Sequence, residues 1–479
     1  MCVSACAQPG EDIKTAEQAR KGPNPSRWGQ YWLVTSNSAS TSTDTGAAAE
    51  VVDLCRDLIR IDTSNYGDDP RSQERVAAEY VAEQLTDIGL AVELVESAPK
   101  RTSVFARVEG EDRSRPALLL HGHLDVVPAD AADWTHPPFD AEIADDEGVP
   151  MVWGRGAVDM KDMDAMMLAV VRDRVRSGRK PPRDIVLAFL ADEEAGGHFG
   201  SHWLVEHRPD LFEDIDVAVG EVGGFSFTVR DDLRLYLIET AEKGIAWMRL
   251  TAKGRAGHGS MVNRENAVTR LAEAVARLGA HEFPLTMTKT VRALLDEVRD
   301  ALGLDADVEP EEVVARLGPI APMIGATLRH SAAPTMLDAG YKANVIPGEA
   351  HAVVDGRFLP GMREEFLAEV DAVLGPDITR ESIVDDISLE TGFEGPIVEA
   401  IIAALLESDP AARVVPYTLS GGTDAKAFAQ LGITGYGFSP LRLPPSLAFA
   451  DLFHGVDERV PLDALTFGTR VLDRFIDLI

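Results

Sequence analysis

Leu118-Leu119-Leu120-His121-Gly122-His123-Leu124-Asp125-Val126-Val127-Pro128 begins as an apolar run and turns polar within a few residues. A buried strand of leucines cannot continue into His and Asp unless those side chains find partners, so the spacing predicts a strand that stops where His123 and Asp125 begin. In a βαβ arrangement the carboxyl ends of strands open into the crevice where ligands sit, which puts this His-x-Asp in position to bind one. An imidazole beside a carboxylate suits a metal. A metal needs roughly three to five donor groups, so other parts of the chain must supply the rest.

Composition narrows the partners. At 479 residues the chain is long enough for two or three domains. A formal charge of −33, from 46 basic and 79 acidic residues, repels nucleic acid and anionic membrane surfaces. Cys2, Cys6 and Cys55 are too few for a disulfide scaffold or a thiolate zinc site, so a metal here must use imidazole and carboxylate. The sequence offers no apolar run of about 18 residues. These features predict a soluble, cytoplasmic protein.

Outward from the opening stretch, the chain reads as alternating helices and strands. Residues 1–45 are rich in Ser, Thr, Pro, Gly and Ala without periodicity and predict a loosely ordered arm. Helical spacing follows at Val51, Leu54, Leu58 and Ile61, then a helix over 72–88 closed by Gly89, and strands at 91–95, 104–108 and 117–120. Gly154-Arg155-Gly156-Ala157-Val158-Asp159-Met160-Lys161-Asp162 leads into a helix whose Met163, Met166, Met167, Val170 and Val171 form a core stripe. Its glycines do not follow a strand as a phosphate loop requires; they let the backbone approach a ligand beside Asp159. The apolar run 185–190 ends in Asp192-Glu193-Glu194-Ala195-Gly196-Gly197, and the strand 217–220 ends in Glu221.

Alternating strands at 234–239 and 244–253, the turn Gly257-His258-Gly259-Ser260, a helix over 265–278 and a strand region over 341–358 suit a smaller α+β layer. From 361 the α/β pattern resumes through Ser420-Gly421-Gly422-Thr423-Asp424-Ala425 and Phe453-His454-Gly455-Val456-Asp457-Glu458 to a closing helix over 462–479. The stretch 281–322 is partly helical near 311–317 and is not assigned to either part. The predicted organisation is an arm (1–45), a catalytic domain in two parts (46–242 and 361–479), and an inserted lid or dimerisation domain (243–360).

Gathering the polar strand ends gives His123, Asp125, Asp159, Glu193, Glu194, Glu221 and His454, too many acids for a site without cations. Two zinc-like ions bridged by one carboxylate and one water would neutralise them, and the adjacent Glu193 and Glu194 could divide metal binding from proton transfer. His121 is expected in a structural role, His198 and His202 on a loop or helix surface, and Glu239 and Glu242 at the surface. Asp424 fits a helix cap as well as a substrate contact.

These segments, together with Asn344-Val345-Ile346-Pro347 and Asp355-Gly356-Arg357, match in order and spacing a known pattern. Over residues 48–479 the chain resembles the zinc-dependent aminoacylase, carboxypeptidase and desuccinylase family of co-catalytic metallohydrolases. The resemblance implies an α/β fold with a mixed sheet, helices on both faces and the smaller α+β layer inserted. It implies two Zn2+, with Co2+ or Mn2+ able to replace them. Asp159 is then the bridging ligand, with His123 and Glu221 on one zinc and Glu194 and His454 on the other. Asp125 would hold the ring of His123, and Glu193 would be the general base. His258 would reach across a homodimer to stabilise the oxyanion. Arg357 and Asn344, with Gly421 and Gly422, would hold the substrate carboxylate and neighbouring polar atoms.

Read from residues alone, Arg357 could equally be the ion-pair partner of Asp355. The chain departs from many relatives in having Asp457 where they carry Asn. The implied reaction is hydrolysis of a C–N amide bond in a small carboxylate-bearing substrate, by carboxypeptidase, dipeptidase or N-acyl-amino-acid deacylase action. The competing reading is a metal-bound dimeric binding protein of the same fold without catalysis, and the intact Glu193-Glu194 pair stands against it. The residues that separate peptidase from deacylase are expected in 281–322 and in the Trp134 loop.

Overall fold

A computed structural model describes residues 46–479; the arm expected over 1–45 lies outside the described residues. The strand that carries the opening stretch, Ala117–His123, is buried along its whole length. It lies between Ile185–Leu190 and Ile215–Gly220 and runs parallel to both. It continues through His123 rather than stopping before it, because Gly122 and His123 still pair with Phe189 and Leu190. The change to polar residues marks a change in what the side chains meet, while backbone pairing goes on.

Period-two alternation divides this strand between two cores. Leu118 and Leu120 face the core formed with the helices Ala47–Ile59, Lys161–Ser177 and Leu462–Leu478, whereas Ala117 and Leu119 face a second core with Leu204, Phe212 and Phe428. Ile185–Leu190 alternates in the same way. Both faces are covered, which is why both strands read as unbroken apolar runs. Each fully buried leucine stabilises the fold by about 1.5–3 kcal/mol.

Among the described residues the large sheet has ten strands. Its centre is parallel, with Ile185–Leu190, Ala117–His123, Ile215–Gly220 and Thr434–Gly437 side by side. Arg101–Val108 and Val92–Ala98 add antiparallel strands at one flank, and Leu233–Glu242 does so at the other. The parallel strands bring their carboxyl ends to one edge, so the loops that follow them gather there.

A smaller antiparallel sheet has the order Ser331–Ala339, Glu349–Phe358, Gly244–Lys253, Ile378–Asp386. The helices Ala267–Gly279 and Arg363–Leu374 cover one face of it. This layer therefore draws on residues 363–386, beyond the point at 361 where the sequence pattern resumes its α/β alternation. It also gives up part of 243–360. The helices Lys289–Leu302 and Pro310–Ala315 put Val291, Leu294, Leu295, Val298, Val313 and Val314 into the large core. Thr288 caps the first of these by accepting from Val291 N, and Gly303 ends it with a φ of 64°. Among the described residues no helix is long and apolar enough to cross a membrane.

Candidate metal-binding active site

Six of the acidic and imidazole groups singled out from sequence meet at the carboxyl edge of the large sheet. His123 comes from the end of its strand, Glu193 and Glu194 from the turn after Ile185–Leu190, and Glu221 from the residue after Ile215–Gly220. Asp159 immediately precedes the helix entry at Met160, and His454 lies in the last loop. Asp159 turns one oxygen to each imidazole, with Oδ1 at 3.1 Å from His123 Nε2 and Oδ2 at 3.2 Å from His454 Nε2. Glu221 lies 3.3 Å from His123 Nε2, Glu194 lies 2.9 Å from His454 Nε2, and Glu193 lies 3.9 Å from His123 Nε2.

The backbone is held in place by acids that touch no imidazole nitrogen closely. Asp125 was expected to hold the His123 ring through its carboxylate, but that oxygen is 3.8 Å from Nδ1. The ring nitrogen is instead 2.9 Å from the backbone carbonyl of Asp125. The carboxylate has another task, accepting hydrogen bonds from Glu193 N and Glu194 N, each at 3.1 Å. Glu458 does the same for the Asp159 loop. Fully buried, it accepts from Gly156 N, Val158 N and Asp159 N and from Arg155 Nη1. Arg155 in turn lies 5.1 Å from the centre of the Trp134 ring, and Asp457 accepts from Thr135 N and Thr135 Oγ1, so the Trp134 loop is tied to the His454 loop. Sequence reasoning missed Glu458 as a functional residue, although it sits in a quoted motif, because a glutamate in a loop reads as solvated.

Protonation within the cluster follows from crowding of charge. Burial, then the charges of neighbouring acids, pushes Glu193 well above the usual carboxylate range and Glu194 upward. Burial is also the main cause that takes Glu221 up to about 8, against the pull of His123. Hydrogen bonds to Asp159 and Glu194 raise His454 to about 10. For His123 burial works downward, but Glu221 and Asp159 overcome it and hold the ring well above its ordinary value. Burial works upward on Asp159 as well, but its hydrogen bonds to His123 and His454 hold this carboxyl well below the usual range, so that it stays charged between the two rings. His123, Asp159 and Glu194, and separately His123, Glu193 and Glu221, have donor atoms within 4.8 Å of one another. Nitrogen and carboxylate donors without thiolate, and a carboxylate with diverging oxygens, fit a pair of divalent ions.

The other expected groups lie elsewhere. His258, on the short strand Gly257–His258 that pairs with Val345–Ile346, and Asn344, in the turn before that partner strand, are exposed; Gly259 N donates to Asn344 O and His258 Nδ1 is 2.8 Å from Ser260 Oγ. Arg357 makes a two-point contact with Asp355. Gly421 and Gly422 form a half-buried loop, and a side chain on Gly422 would meet Lys426 Nζ at 2.7 Å. Asp424 makes no capping bond; it is buried and turned toward Gly197. His121 packs edge-on against Phe428, and burial lowers it to about 3, which leaves it neutral. His198 is exposed and His202 half-buried. Glu239 and Glu242, expected at the surface, are 4% and 0% exposed. The strand that carries them is buried where it passes between the sheets, and a plain alternation of residues does not reveal that.

Comparison with known proteins gives the family. Residues 119–478 match the description Peptidase family M20/M25/M40. The chain is 30% identical over 382 residues to a probable carboxypeptidase S-like 2 of Dictyostelium discoideum, covering 74% of this chain and 70% of that one. It is 26% identical to the N-fatty-acyl-amino acid synthase/hydrolase PM20D1 of Xenopus tropicalis, covering 87% and 83%. An M20 family metallo-carboxypeptidase from Sulfolobus solfataricus, Sso-CP2, shares the fold with a TM-score of 0.67 at 17% identity, over 90% of this chain and 99% of that one. The chain belongs to peptidase family M20/M25/M40 and is a metal-dependent amidohydrolase.

Proposed function

We propose that this chain hydrolyses a C–N amide bond in a small carboxylate-bearing substrate, an N-acyl amino acid or a short peptide, with two zinc ions. His123 and Glu221 would hold one ion and Glu194 and His454 the other, with Asp159 giving one oxygen to each. Bound there, the pair would supply Lewis acidity toward the amide carbonyl and make the attacking water more acidic. The observation that carries this reading is the divergence of the two Asp159 oxygens toward His123 and His454.

Glu193 is the general base. Its carboxylate takes a proton from the attacking water and hands it to the leaving nitrogen, so that the amide yields an acid and an amine. Burial beside Glu221 and Glu194 makes this carboxylate more basic than an exposed one. The relatives named as a carboxypeptidase and as an N-fatty-acyl-amino acid hydrolase support both substrate types. Arg357 and Asn344, with Gly421 and Gly422, take the substrate carboxylate and neighbouring polar atoms.

His258 acts across a homodimer. It is exposed in the small layer, and the edge strand Ser331–Ala339 presents Met336 and Leu337 at 66% and 62% exposure, an edge open to pairing with a second copy. The scarcity of cysteine, with Cys55 buried and free, supports a cytoplasmic setting.

Metal analysis combined with a mass-spectrometric screen of N-acyl amino acids and dipeptides tests the reading. Two zinc ions per chain and cleavage of at least one compound are expected. Metal-loaded protein that binds one of these compounds and cleaves none would overturn it in favour of a binding protein.

A further inference from the structure

The turn that carries Glu193 rests on a buried hydrogen-bond network to which the reaction above assigns no role. Residues 63–65 lie alongside Leu124-Asp125-Val126. Thr63 Oγ1 donates to Leu124 O at 2.7 Å, Val126 N donates to Thr63 O at 3.2 Å, and Asn65 N donates to Val126 O at 2.9 Å. Asn65 is thereby fixed at 6% exposure with its amide between two carboxylates. Its Nδ2 donates to Asp125 Oδ2 at 2.8 Å and to Asp192 Oδ1 at 3.0 Å, while its Oδ1 accepts from Gly67 N at 2.8 Å.

Those two acids flank the turn. Asp125 accepts from the backbone of Glu193 and Glu194. Asp192 accepts from Phe199 N and from Arg101, whose Nε is bound to both oxygens of Glu74. Asp192 has a φ of 70°, a left-handed conformation that a non-glycine residue keeps only where its surroundings over-determine it. A carboxamide nitrogen can donate to both acids at once, whereas a carboxylate at this position would add a third negative charge at contact distance.

On the reading of Glu193 as general base, we propose that Asn65 is a positioning residue: by bridging Asp125 and Asp192 it locks the Asp192–Glu194 turn and so the direction of the Glu193 carboxylate. Arg101 supports it by supplying the charge that lets Asp192 remain in place. Asn65 acts through its neighbours and touches no reacting atom.

The test is Asn65→Asp in the full-length, metal-loaded protein. This variant keeps the acceptor for Gly67 N, removes the donor and puts a third negative charge between Asp125 and Asp192. Expected are a kcat about 10–100-fold lower with KM within about threefold. Hydrogen exchange should also be about tenfold faster or more at the Glu193 and Glu194 amides, with the helix Lys161–Ser177 unchanged. Wild-type kcat, or exchange at these two amides left as in the wild type, would overturn the proposal. If Asn65→Asp does not fold, Asn65→Ser carries the same two measurements with smaller expected changes, because its hydroxyl retains one donor. Should the wild-type protein cleave no amide, the proposed function fails, while the exchange comparison still decides whether Asn65 holds the turn.

Discussion

Two groups of buried acids lie near each other in this molecule, and they are stabilised in opposite ways. At the carboxyl edge of the large sheet, Asp159, Glu193, Glu194 and Glu221 have the imidazoles of His123 and His454 as their ionic partners. Where Leu233–Glu242 passes into the small sheet, Glu242 is fully buried but accepts from Thr423 N at 3.0 Å and Thr423 Oγ1 at 2.7 Å. Lys426 Nζ lies 4.0 Å from Glu242 and 3.4 Å from Asp386, and donates to the Lys243 carbonyl at 2.9 Å. Lys243 in turn donates to the carbonyls of Ala326 and Arg329, so two buried ammonium groups tie together the segments that connect the sheets. The second group is complete within the chain, and the first calls for cations from outside. A buried acid does not mark a site by itself; several acids converging on two imidazoles at the open edge of the sheet do.

The sharpest way to break this contrast is to remove the one site acid that is proposed to move a proton. Glu193→Gln keeps the shape and the backbone bonds to Asp125, and kcat should fall by about 10²–10⁴-fold. Zinc content should stay at the wild-type level, since the metals are assigned to other groups. Stopped assays and metal analysis on the same preparation check this. Full turnover in Glu193→Gln would sink the general-base assignment.

Next in size is the response of the metal-free protein to pH. Glu221, raised to about 8, holds in the folded state a proton that the unfolded chain releases near the ordinary carboxylate value. Its contribution to stability is therefore complete at acid pH and lost as pH rises through about 8. His454, raised to about 10, acts in the same direction: its contribution is complete below about 6.5 and lost toward 10. Chelated protein should unfold at lower temperature at about pH 9 than at about pH 6. Metal-loaded protein should not follow that trend, because its ligands must lose protons to bind. Thermal melts across this range decide it, and parallel curves with and without chelator would contradict the account of the acid cluster.

Much of this was legible in the sequence, and the failures have physical causes. The apolar runs leading to His123, Glu193 and Glu221 showed a doubly covered parallel sheet with polar groups at its edge, because burial on both faces leaves no polar alternation. The same pattern misplaced the strand end, since ladder pairing does not depend on which side chains are apolar. Val291, Leu294, Leu295 and Val298, followed by Gly303, carry a helical signal. What sequence spacing cannot give is the sheet they pack on, and they return to the large core from within the smaller layer's span. Asn65, Glu458 and Lys426 were invisible for a related reason: a single polar residue in a loop or helix acquires meaning only from groups about 60 to 300 positions away, and pairing across such distances has no local period.

The remaining effects are on stability at the junction, and they test whether its charges are balanced internally. Lys426→Met removes the ammonium group and leaves the buried Glu242 without its cation beside the half-buried Asp386, a loss of about 3–5 kcal/mol. Glu242→Gln should be milder, at about 1 kcal/mol, because one amide oxygen still accepts from Thr423 N and the Thr423 hydroxyl can turn to accept from the new amide nitrogen. Lys426 would keep Asp386 and the Lys243 carbonyl as partners. Burial already raises the Glu242 carboxyl to about 7, so replacing it with a neutral group also removes a desolvation cost. Denaturant titration of the two variants side by side compares them. A loss in Glu242→Gln as large as that in Lys426→Met would mean that the carboxylate charge itself, rather than its hydrogen bonds to Thr423, holds the Gly421–Asp424 loop to the segments between the sheets.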